Sequence, residues 1–180
     1  MFTRSSVSAS SFSRFRPFKL AHPIPKAPGA FSWEELMDLA LEEAKLAYDC
    51  CEVPVGSVLV NASGQILGQG HNECIGNCDV SGHAEIVTLR RAGQKIGNYR
   101  FNDCILVVTL EPCAMCAAAL VLARVAGVVY GCLDALAGAI VSRVEYLDGP
   151  CVLGPPIWHM GGVRSVECAT MLQNFFQKRR

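Results

Sequence analysis

The sequence has no apolar run long enough to cross a bilayer: the longest extends from Cys113 to Ala123 and stops at Arg124, well short of the roughly 18 residues a transmembrane helix requires. Aromatic side chains make up only 8% and charged ones 18% of the 180 residues, against 51% apolar. That composition excludes a disordered, collagenous or coiled-coil chain and fits one globular domain. No internal repeat is present. Acidic residues are missing from positions 1–33, which carry Arg4, Arg14, Arg16, Lys19 and Lys26. Positions 34–180 then hold 11 basic and 16 acidic groups, a net of −5. A domain of that sign is no general nucleic-acid binder, because non-specific affinity comes mainly from neutralising phosphates, so any RNA contact has to be local.

A secretory apolar core is lacking as well. The ten cysteines are therefore read as thiols of a reducing, cytoplasmic compartment, most of them small buried hydrophobes and a minority ligands. Residues 1–31 are Ser-rich and end in the Pro-broken stretch His22 to Gly29, too polar to pack. Three readings stand for this extension: a disordered tail, an organelle transit peptide, or an arm that touches RNA. The folded domain is expected over 32–180.

Ser32-Trp33-Glu34-Glu35 has the form of a capping box, and Leu36, Leu39, Ala40, Ala44 and Ala47 follow at helical spacing, which predicts a first helix to about Cys50. Val55–Val60 and Ile66–Gly70 flank Asn61-Ala62-Ser63-Gly64 as a β-hairpin. A polar loop leads to a helix over His83–Lys95, then a buried-type strand over Cys104–Leu110. A third helix has Pro112 in its first turn and is apolar nearly all round, so it should be buried. Val125–Gly131 reads as a strand and Glu167–Lys178 as a closing helix. This alternation after an opening hairpin predicts an α/β fold of three layers, α/β/α, around a mixed sheet.

The chemistry concentrates in His83-Ala84-Glu85 and Pro112-Cys113-Ala114-Met115-Cys116. Thiols at i and i+3 share a helical face and can hold one ion, and a helix N-terminus favours their thiolate form. With His83 as a third ligand the set is Cys₂His, which leaves a coordination position open, as in catalytic zinc. Glu85 is then the proton carrier of a hydrolytic site. Competing readings are a thioredoxin-like Cys-x-x-Cys redox site, a closed four-sulfur structural site formed with Cys74 and Cys78, and a His83 that merely fills the core.

His-x-Glu followed by Pro-Cys-x-x-Cys is the signature of zinc deaminases. The chain resembles the cytidine-deaminase-like superfamily and, within it, the bacterial tRNA-specific adenosine deaminases. The likeness runs over about Ser32–Arg180 and rests on Val53-Pro54-Val55-Gly56, Gly70-His71-Asn72, Asp79, Asn98-Tyr99-Arg100, Thr109 through Cys116, Leu122-Ala123-Arg124 and Val128-Val129-Tyr130-Gly131. It implies a cytidine-deaminase-like fold, one zinc ion per chain on His83, Cys113 and Cys116, and Glu85 as general acid/base. It further implies Asn72 as a contact to the nucleoside, Pro54 and Val55 lining the base pocket, the Ala84 N–H near the reacting centre, and Asp134 on the substrate side. A tRNA anticodon stem-loop as substrate and a homodimer follow from the same likeness. Departures fall on substrate-facing segments: Leu136 stands where the family commonly has a lysine, Val80-Ser81-Gly82 replaces a more usual Pro-Thr-Ala, and residues 141–162 match poorly.

The expected reaction is hydrolytic deamination of adenosine to inosine at a wobble position. Arg90, Arg91, Lys95 and Arg100 are candidate phosphate contacts, and the third helix, with Val121 and Leu122, is either dimer interface or ordinary core. Two alternatives remain at this point: the same chemistry on a free base or nucleoside of guanine or cytosine type, and a non-catalytic zinc-stabilised RNA-binding module.

Overall fold

In the computed structural model, residues 25–147 and 157–179 are described. The order of elements is α1 (Trp33–Asp49), β1 (Gly56–Asn61), β2 (Ile66–His71), α2 (Ala84–Ile96), β3 (Cys104–Leu110), α3 (Ala114–Ala123), β4 (Gly127–Cys132), β5 (Trp158–Gly161) and α4 (Ser165–Gln177). The five strands form one sheet in the order β2-β1-β3-β4-β5. β1 is antiparallel to β2 and β3, whereas β3, β4 and β5 run parallel. This is the expected mixed sheet.

Side-chain alternation along the strands divides the core in two. Leu59, Leu106, Val108, Val128 and Tyr130 meet Ala84 and Ala92 of α2 and Ala117, Leu120 and Ala123 of α3 on one face. Val58, Val60, Ile105, Val107 and Val129 meet Leu36, Met37 and Ala40 of α1 and Cys168 of α4 on the other. Three layers result.

Local sequence explains the element ends. The Ser32 hydroxyl accepts the Glu35 N–H and the Glu35 carboxylate accepts the Ser32 N–H at 2.7 Å, a complete capping box, worth about 1 kcal/mol of helix stability. The hairpin turns at Gly64, whose φ of +88° lies where a side chain is strained.

Four expectations are corrected. Pro112 precedes α3 rather than entering it, because Cys113 is the N-cap. α3 is not buried all round: Cys116, Ala117, Leu120 and Ala123 face the sheet, but Leu122 is 70% exposed. β5 was not anticipated, since its four residues lie in a Pro- and Gly-rich stretch without alternation. Finally, packing begins before Ser32: Ala27 is buried, the Trp33 indole N–H donates to the Pro25 carbonyl, and Gly29 abuts Gly64 of the hairpin. The expectations for residues 1–24, and for 148–156 of the poorly matching segment 141–162, fall outside the described residues.

Candidate metal centre

Two helix N-termini converge on one point. His83 is the N-cap of α2 and Cys113 the N-cap of α3, and neither side chain caps its own helix. Capping of α2 passes instead to Asn72, whose Oδ1 accepts the buried Ala84 N–H at 2.9 Å. That transfer leaves the imidazole available as a ligand.

The Sγ atoms of Cys113 and Cys116 each stand 3.6 Å from Nδ1 of His83. A tetrahedral ion with Zn–S of about 2.3 Å and Zn–N of about 2.1 Å requires an S···N separation of about 3.6 Å, so the donors fit zinc in kind and in spacing. Among the described residues this is the one such cluster of His, Cys and acidic groups, all donor atoms lying within 4.8 Å of one another. Cys74 and Cys78 stay outside it, so the closed four-sulfur site does not form.

Without a metal the two thiols share protons unequally. Cys113 is held down to about 4, first by its hydrogen bond with Cys116 and then, against burial, by His83. Cys116 is pushed up strongly by the proton it shares with Cys113, by burial and by the nearby Glu85 carboxylate. His83 is raised by its bond to Cys113. Glu85, one residue into α2 and 3% exposed, is raised mainly by burial. A carboxyl group raised by desolvation is suited to accept and return a proton near neutral pH.

Other expected site residues take these places. Pro54 and Val55 are buried, and the Val55 carbonyl accepts the Asn72 N–H at 3.1 Å, which ties the end of β2 to the segment entering β1. The Ala84 N–H lies next to Glu85 but is engaged by Asn72. Asp134 uses Oδ1 to accept the N–H groups of Leu136 and Ala137, shaping its own loop. The candidate phosphate contacts also have internal partners. Arg90 bonds Asp79 and Ser81, Arg91 bonds Glu73 and the Gln69 carbonyl, Lys95 bonds the Ile66 carbonyl, and Arg100 lies over the Tyr99 ring.

Sequence reading missed two buried carboxylates that hold the rim. Glu52 accepts the Ile75 and Gly76 N–H groups at 2.7 and 2.8 Å, fixing the loop ahead of His83. Glu111, 2% exposed, accepts from Asp134, Ile140, Val141 and Ser142. Burial pushes its pKa up, but those bonds outweigh it and the net shift is downward. The only signal was an acidic residue inside an apolar run, Leu110-Glu111-Pro112.

A Cys₂His donor set at two helix starts, with a buried carboxylate beside it on an α/β/α scaffold, defines a metal-dependent hydrolytic enzyme. Residues 32–132 match the cytidine and deoxycytidylate deaminase zinc-binding region. The tRNA-specific adenosine deaminase of Haemophilus influenzae is 42% identical over 147 residues, covering 82% of this chain and 84% of that protein. The tRNA-specific adenosine deaminase of Agrobacterium fabrum is 39% identical over 145 residues, covering 80% and 93%. A structure solved in a study of A-to-I editing by tRNA:A34 deaminases at the wobble position of transfer RNA superposes with a TM-score of 0.72 at 38% identity, covering 76% of this chain and 98% of that one. The chain belongs to the zinc-binding deaminase family and, within it, to the tRNA-specific adenosine deaminases.

Proposed function

We propose that this protein is a zinc-dependent hydrolase that converts adenosine to inosine at the wobble position of a tRNA anticodon, with one ion per chain on His83, Cys113 and Cys116. The observation that carries the chemistry is the 3.6 Å spacing of both thiols from His83 Nδ1, with buried Glu85 adjacent. Zinc bound there supplies Lewis acidity for activating water near neutral pH. Glu85 accepts a proton from the attacking water as the new C–O bond forms at C6 of adenine. It delivers that proton to ring N1, then takes the remaining proton from the C6 hydroxyl and passes it to the amino group, so that the C6 carbonyl forms, the C–N bond breaks and ammonia leaves; water and adenosine give inosine and ammonia. The positive ends of α2 and α3 favour the negative charge that builds up in this step.

Asn72, held through Oδ1, turns its amide nitrogen toward the substrate, and Pro54 and Val55 wall the base. Residues 32–180 form the deaminase domain in this reading, with 25–31 packed on it. Among the described residues no helix is long and apolar enough to cross a membrane. In this reading the compartment is the cytoplasm, where the cysteines stay thiols. The exposed Leu122 and Met115 of α3 support a homodimer.

The test is to incubate purified protein with total tRNA and, separately, with adenosine, guanine and cytidine, measuring ammonia and inosine. Inosine at the wobble position of tRNA is the expected product. Release of ammonia from a free base or nucleoside with tRNA untouched would assign the site to a small-molecule substrate, and no product from any of them would leave a zinc-stabilised binding module.

A further inference from the structure

Glu111 directly follows β3, two residues before the ligand Cys113, and its carboxylate reaches across to the loop after β4. Oε1 accepts the N–H groups of Ile140, Val141 and Ser142 at 3.0, 2.8 and 2.9 Å. Oε2 accepts the Asp134 N–H at 3.1 Å and the Ser142 hydroxyl. One buried carboxylate therefore fastens both ends of the segment 134–142. The same segment touches the metal-ligand strip directly, since Gly138 bridges Cys113 and the Ala139 N–H donates to the Pro112 carbonyl at 2.8 Å. Gly138 is needed for that approach, because a Cβ there would come within 2.4 Å of Glu111 Oε2.

What the loop displays differs from what it buries. Leu136 is 88% exposed at its apex, and the exposed Arg143 at its end has no side-chain partner among the described residues. An apolar side chain and a cation held rigidly beside a metal site suit a substrate larger than a single base, such as nucleotides flanking the reacting one, where the leucine meets a base face and the guanidinium a phosphate.

Resting on the tRNA reading above, we propose that Glu111 is a positioning residue for RNA: by pinning segment 134–142 to the metal-ligand strip it presents Leu136 and Arg143 to the nucleotides beside the target adenosine. Its loss should then weaken substrate engagement rather than chemistry.

The experiment compares wild type, Glu111→Gln and Ser142→Ala on an anticodon stem-loop RNA, with zinc content and amide hydrogen exchange measured on the same preparations. In Glu111→Gln the amide can still face the three N–H groups at Oε1, but it offers a donor where Asp134 N–H needs an acceptor. The expected result is a KM raised at least tenfold, kcat within threefold, zinc unchanged, and at least tenfold faster exchange at Asp134 with α2 unaffected. Ser142→Ala should move KM the same way by less, and it carries the test should the first variant fail to fold. An unshifted KM in an active enzyme overturns the proposal, as does zinc loss with a parallel fall in kcat. Wild type inactive on the RNA would remove the substrate from the inference, and the exchange data alone would then decide whether Glu111 anchors the loop.

Discussion

Asn72 caps the helix that begins at Ala84, its Oδ1 accepting that buried N–H at 2.9 Å. The bond fixes the amide orientation, so in the proposed function Nδ2 is the group offered to substrate, and it can only donate. Asn72→Asp keeps the cap but replaces the donor by an oxygen, while Asn72→Ala loses both. We expect Asn72→Asp to retain zinc and melting temperature and to raise KM by about tenfold or more, the worth of one hydrogen bond to a buried partner. Unchanged kinetics in Asn72→Asp would make the residue a helix cap alone.

The thiols should separate by environment. Cys50, Cys51 and Cys78 are exposed, whereas burial first of all pushes Cys104 and Cys168 up to about 12 and Cys132 to about 11. A thiol reagent at pH 8 should therefore label the first three quickly and leave the second three silent. Chelation should add Cys113, whose pKa near 4 makes it a thiolate. Cys113→Ser should lose the metal, and Cys74→Ser and Cys78→Ser should keep it; metal loss from the latter pair would restore the closed four-sulfur site.

Glu85→Gln keeps the shape of a buried side chain and removes its proton acceptor. Zinc content and fold should persist, while kcat falls by about 10⁴, the upper end for a general acid–base group. Activity within tenfold of wild type would move the proton transfers to another residue.

Metal affinity should depend on pH in a stated direction. In the metal-free protein Cys116 and, at lower pH, His83 hold protons, both being raised above their ordinary values, while Cys113 is already ionised above about 4. Zinc must displace those protons, so affinity falls as pH falls, by about one decade per pH unit where Cys116 alone is protonated and about two once His83 is protonated as well. Competition titrations with a chelator across pH 5.5 to 8.5 measure this, and a flat profile would contradict the shared-proton picture of the pair.

The gathering of His83, Cys113 and Cys116, the two helices that start there, and the alternation of strands and helices apart from β5 were legible in the sequence, because each helix start rests on residue types at short fixed spacing. Ser32 with Glu35 is a local signal, and so is Cys113 with Cys116. The tethers were not legible. Glu52 with Ile75 and Glu111 with Ile140 join segments 23 and 29 residues apart through backbone N–H groups, and a backbone donor leaves no trace in residue identity. α3 misled for a related reason: an all-apolar helix reads as buried, yet the sheet covers only the side bearing Cys116 and Leu120, and what covers Leu122 is not written in its neighbours.

Salt distinguishes an RNA substrate from a small one. Each phosphate neutralised releases counterions, so binding of a single-stranded anticodon loop should weaken with log salt at a slope of about −0.7 per contact. Arg90, Arg91, Lys95 and Arg179 have partners within the fold, Arg179 donating to the Cys51 carbonyl at 2.8 Å. Recruiting them costs an existing bond, and the −5 charge of residues 34–180 repels the rest of the RNA. We therefore expect a slope of only a few contacts, among them Arg143, whose side chain has no partner among the described residues. Arg143→Ala should make the slope shallower by about 0.7 and weaken all stem-loop sequences alike. A free nucleoside has no phosphate, so its KM should stay flat with salt and its turnover should be poor. Efficient, salt-insensitive turnover of a nucleoside would overturn the RNA reading and leave the zinc chemistry of His83, Cys113, Cys116 and Glu85 in place.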